Sequence, residues 1–111
     1  MGKEASLDVT GPASTVELAA RVGLILGLPV GDPHPVDGHI FVGPAVLVRD
    51  NGQGSPIPAD YCVVFYTGED LADKQSWAVF DRLAETTGWA LSLLDDGYTV
   101  VAERPSLTEV S

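Results

Sequence analysis

The sequence predicts an α+β domain in the order helix, two strands, helix, two strands, with a four-stranded, mostly antiparallel sheet and both helices on one face. Three observations predict it. Two segments carry apolar residues at helical spacing and end in glycine, each is followed by runs rich in β-branched and aromatic residues, and turn residues divide those runs into pairs. Consecutive elements usually lie side by side, and each amphipathic helix needs an apolar surface to cover, so the helices are expected to share one sheet face. A chain of 111 residues has room for one core. That core is expected to span residues 14–105, between a mobile arm at 1–13, read as lacking a period, and a frayed end at 106–111.

The first helix is expected over residues 15–26. Ser14-Thr15-Val16-Glu17 matches a capping box, in which the serine hydroxyl accepts from the amide three residues on and the glutamate returns to the serine amide. Leu18, Val22, Ile25 and Leu26 form the apolar stripe, and Gly27 before Leu28-Pro29 supplies the stop. Residues 29–39, rich in Pro, Gly, Asp and His, read as a loop. Ile40 to Val48 reads as a strand bent or bulged at Gly43-Pro44, and Tyr61 to Tyr66 as its antiparallel return across a turn-rich connection at Asn51 to Pro56. Their nearly continuous apolar character predicts strands covered on both faces.

The second helix is expected within Asp70 to Thr87. Asp70 and Asp73 complement the dipole of its first turn; Ser76, Phe80, Leu83 and Thr87, joined by Trp77 and Ala84, form the inward seam; Gly88 closes it. Trp89 to Leu94 and Tyr98 to Ala102 then pair across Asp95-Asp96-Gly97, a strong hairpin signal because Asp and Gly tolerate positive φ.

Charge is the compositional extreme. Sixteen Asp and Glu against six Lys and Arg give a formal net charge of -10. Affinity for phosphate backbones and anionic lipid surfaces comes chiefly from Lys and Arg, so neither direct nucleic-acid binding nor membrane attachment is expected. The same field favours encounter with a basic protein partner. No uninterrupted apolar stretch is long enough for a membrane-spanning helix, and the start Met1-Gly2-Lys3-Glu4 does not lead into a secretory signal, so a cytoplasmic location is expected. The single cysteine, Cys62, excludes an intrachain disulfide and a multi-thiolate zinc site.

The sharpest local feature is Asp32-Pro33-His34-Pro35-Val36-Asp37-Gly38-His39. It holds both histidines of the chain, each two residues after an aspartate, a donor set usable for zinc or another divalent metal. The competing reading is a turn-rich surface loop, where Asp, Gly and Pro are common anyway. Cys62 with His34 or His39 is the one nucleophile–base pairing to consider, but its apolar strand points to core packing. The paired carboxylates Glu69-Asp70 and Asp95-Asp96 fit a helix start and a turn. No phosphate-binding loop or nucleophile elbow is present, and no catalytic residue or cofactor is expected.

The function expected is that of a non-enzymatic protein-binding domain for a basic partner, with Asp32, Asp37, Trp77 and Tyr98 as contact residues. In size and charge, with no motif matched, the chain resembles small acidic immunity proteins that neutralise basic toxins, and it is also similar to secretion chaperones. Two alternatives stand beside this: a metal-binding module or small metal-dependent enzyme using Asp32, His34, Asp37 and His39, and a homo-oligomeric scaffold.

Overall fold

The computed structural model describes residues 5–50, 59–95 and 99–105. Their elements run β1 (Ala5–Thr10), α1 (Thr15–Leu26), β2 (Ile40–Val42), β3 (Val46–Asp50), β4 (Tyr61–Phe65), α2 (Glu69–Thr86), β5 (Ala90–Asp95) and β6 (Thr99–Arg104). The α+β class and the two helices agree with expectation, but the sheet has six strands rather than four, in the order β2-β3-β4-β1-β5-β6, with every pairing antiparallel.

Both additional strands have clear physical origins. The expected mobile arm contains β1, which lies between β4 and β5 and is paired to both. Its sequence alternates strictly: Ala5, Leu7 and Val9 enter the core, while Ser6, Asp8 and Thr10 point to the opposite face. The expected single strand from Ile40 to Val48 is a hairpin, β2 and β3, turning through Gly43, Pro44 and Ala45. Gly43 has φ 63, a left-handed conformation, so the chain reverses there instead of bulging. The expected connection at Asn51 to Pro56, the Asp96-Gly97 turn, Tyr98 and the C-terminal tail lie outside the described residues. The strands flanking the last turn do pair as a hairpin, with Leu94 opposite Val100, and a bulge interrupts their register between Leu93 and Leu94.

α1 begins and ends where its signals place it. The Ser14 hydroxyl accepts from the Glu17 amide at 3.2 Å, and Gly27 caps the other end in the left-handed conformation. The Glu17 carboxylate, however, accepts from the Ala13 amide at 2.6 Å and not from Ser14. α2 starts at Gly68 without a side-chain cap and ends at Thr87 in extended conformation, so Gly88 is not its cap. The Thr86 hydroxyl donates to the Arg82 carbonyl and the Thr87 hydroxyl and amide to that of Leu83, while the Arg104 guanidinium of β6 donates to Ala84 and, beyond the helix, to Thr87 and Trp89, all at 2.7–3.0 Å. A cation there also complements the negative end of the helix dipole.

One core joins both helices to the inner sheet face. α1 packs over β2 and β3, and α2 over β4, β1 and β5. Leu18 and Val22 of α1, Val79 and Leu83 of α2, and Leu7, Val63, Phe65 and Leu91 of the sheet are fully or almost fully buried. Of the expected α2 seam Ser76, Phe80 and Leu83 are buried, while Trp77 sits at its rim, 37% exposed. The expectation of strands covered on both faces holds for β4, whose Cys62, Val63, Val64 and Phe65 are all buried; β3 buries only Val46 and Val48.

Candidate functional site

The loop between α1 and β2 is hydrogen-bonded along its length. The Gly31 amide donates to the Phe41 carbonyl and the Gly43 amide to the Pro29 carbonyl, each at 2.8 Å, while Val30 bridges to Val42. Gly23 of α1 permits this close approach, because a Cβ there would lie 2.5 Å from Val30 Cγ2. Beyond this anchor the loop folds back on itself: the His34 amide donates to the His39 carbonyl at 2.9 Å and the Gly38 amide to the His34 carbonyl at 2.8 Å.

That closure brings the two imidazoles face to face, with centroids 4.5 Å apart and planes 12° from parallel, while the Phe41 ring meets His39 edge-on at 5.8 Å. Asp37 lies between them. Its Oδ1 contacts His39 Nδ1, accepts from the His39 amide at 3.1 Å and lies 3.6 Å from His34 Nδ1. The hydrogen bond from the His39 amide is the chief reason the Asp37 carboxyl titrates below its ordinary range, since it stabilises the charged form. Of the four residues expected as metal ligands, His34, Asp37 and His39 come together, one donor atom from each lying within 4.8 Å of the others; Asp32 is not part of the group.

The expected contact residues do not share one surface. Asp32 and Asp37 sit beside β2 at one edge of the sheet, whereas Trp77 lies near β5 and β6 at the other. There Trp77 lines a groove with Asp73, Asp95, Ala5, Leu93 and Val101. Its ring meets Phe80 in a T-shaped contact at 5.8 Å. Asp73, Asp95 and Val101 were not singled out in the sequence as a group, because three separate elements contribute them; the signal that could have found them is Trp77 itself, a large aromatic at the rim of an apolar seam.

Beside this groove runs β6, the outermost strand. The other sheet edge is short and blocked, since β2 has three residues and residues 29–31 bond along its outer side. β6 has six residues, and nothing among the described residues pairs with its outer side. Val100 and Val101 are 39% and 47% exposed on it.

Cys62 lies on β4, on the sheet face away from the helices, in register with Asp8 on one side and Arg49 on the other. Burial, with a smaller contribution from the Asp8 charge, pushes its thiol up to about 12, so it carries almost no thiolate near neutral pH. β3 stands between β4 and β2, which puts Cys62 and His39 about 10 Å apart, two strand spacings, beyond hydrogen-bonding reach. Cys62 and His39 therefore do not form a nucleophile–base pair.

Among the described residues no helix is long and apolar enough to cross a membrane. Comparison of the chain with protein-family models, with curated proteins and with solved structures finds no significant match in any of the three.

Proposed function

We propose that this chain is a non-enzymatic protein-binding domain that takes an extended, basic segment of its partner along β6. The observation that carries this reading is the outer edge of β6, which no described residue pairs with, beside the Trp77 groove. An unpaired strand edge presents a row of backbone donors and acceptors, and proteins that do not use such an edge blunt it with lysine, proline, bulges or a covering segment. The β2 edge is covered in this way, whereas among the described residues nothing pairs with the outer side of β6; the bulge at this end of the sheet lies on the inner side, where β6 meets β5, and two valines are exposed on the strand.

An added strand gains affinity from main-chain hydrogen bonds and specificity from alternate side-chain pockets. Residues of that strand on the helix side would approach the Trp77 groove, where an arginine or lysine meets the ring face together with Asp73 and Asp95. The net charge of -10 supports the same partner chemistry by attracting basic proteins and opposing pairing of this edge with a second copy. An inhibitor or adaptor of a basic protein uses a surface of this kind.

The test is capture from the native cell by wild type and by a double variant, Asp73→Lys with Val101→Lys, which reverses one charge and places lysine on the edge. Both positions are exposed, and circular dichroism checks the fold. A captured basic protein is expected to bind the variant roughly tenfold or more weakly, and its on-rate to wild type is expected to fall as salt rises. Unchanged affinity for the variant, or an on-rate indifferent to ionic strength, overturns the reading.

A further inference from the structure

The geometry of the α1–β2 loop points to a binding site for one divalent transition-metal ion of the zinc class, held by His34, Asp37 and His39. The three side chains come from six consecutive residues, yet they converge because the backbone between them is closed by its own hydrogen bonds, from the His34 amide to His39 and from the Gly38 amide to His34. The donors are thus assembled before any ion arrives.

Their spacing suits a small ion. Bonds of about 2.0–2.1 Å in a tetrahedral arrangement place donor atoms about 3.3 Å apart. His34 Nδ1 and Asp37 Oδ1 are 3.6 Å apart and the whole set lies within 4.8 Å; an ion bound there takes the place of the Val36 amide hydrogen bond to His34 Nδ1 and of the contact between Asp37 Oδ1 and His39 Nδ1. The backbone-to-backbone bonds between His34 and His39 and between Gly38 and His34 involve none of the donor atoms.

The chemistry of the donors selects the metal. Two imidazoles and one carboxylate suit zinc and its first-row neighbours, whereas calcium and magnesium take oxygen donors almost exclusively. The His39 amide donates to Asp37 Oδ1 at 3.1 Å and fixes the carboxylate between the two rings. Phe41 packs edge-on against His39. Three protein ligands leave the fourth position of a tetrahedral ion open to solvent, because His34 and Asp37 are exposed. This site lies at the sheet edge opposite β6 and is independent of the protein-binding reading.

The experiment is a calorimetric titration of the full chain with zinc chloride, repeated for the double variant His34→Ala/His39→Ala, for Asp37→Asn, for Asp32→Asn and for Cys62→Ser. Wild type, Asp32→Asn and Cys62→Ser are expected to bind one equivalent; the double histidine variant is expected to bind none, and Asp37→Asn roughly tenfold more weakly. Cobalt added to wild type reads the ligands without any substitution, and visible d–d bands without thiolate charge transfer are expected. Absence of zinc binding by wild type, zinc uptake that survives loss of both histidines, or uptake that vanishes with Cys62→Ser overturns the assignment.

Discussion

Cys62 shows how one residue's environment sets its chemistry. Its thiol titrates at about 12 in the folded chain against 9.0 for the free group, mainly because the buried thiolate is poorly solvated. Between those values the unfolded chain has released a proton that the folded chain retains. The resulting stabilisation is complete below pH 9.0 and is lost as the pH rises towards 12. One such proton changes stability by at most about 1.4 kcal/mol per pH unit. Measured by urea denaturation, wild type is expected to lose stability relative to Cys62→Ala as the pH rises from about 9 to about 11. A constant difference across that range would mean that the thiol is not buried beside Asp8. The sequence reading of Cys62 as a core residue came from its apolar neighbours; the flanking Asp8 and Arg49 come from strands far along the chain.

At the scale of elements, the two helices differ in where their ends are specified. Both ends of α1 are written within four residues of the boundary, in Ser14, Glu17 and Gly27, and were legible for that reason. The C-terminal end of α2 is not. Thr86 and Thr87 satisfy Arg82 and Leu83 locally, but the Ala84 carbonyl is met by Arg104, 20 residues further on, and no local pattern announces that partner. Arg104→Ala removes every one of these charge-assisted bonds and leaves part-buried carbonyls short of donors, for an expected loss of about 2 kcal/mol in denaturation experiments. Arg104→Lys is expected to recover only part of it, because an ammonium cannot span the planar fan of acceptors that a guanidinium reaches. Loss of less than about 0.5 kcal/mol in Arg104→Ala would assign the cap to Thr87 alone.

For the whole molecule, the decisive element is β1. It joins β2, β3 and β4 on one side to β5 and β6 on the other by pairing with both β4 and β5. Deleting residues 1–10 is therefore expected to abolish cooperative thermal unfolding, since Leu7 and Val9 leave the centre of the core. A truncated chain that melts cooperatively near the wild-type temperature would restore the reading of this segment as a dispensable arm. The signal for β1 was present, in the alternation from Ala5 to Thr10. The nearby Gly2, Gly11 and Pro12 and the charges around it obscured that alternation, and only pairing on both sides makes the segment a strand.

The sequence by itself determined the α+β class, both helices, the strand pair after the second of them and the loop from residue 29 to 39, because capping, periodicity and turn chemistry act over a few residues. Tertiary structure decided the strand order, the central place of β1, the hairpin in place of one bent strand and the cap on α2. It also separated the expected contact residues to opposite sheet edges while drawing His34, Asp37 and His39 together. Those outcomes depend on which apolar faces find each other and on backbone groups meeting partners distant in the chain, and such pairings leave no short-range pattern to read.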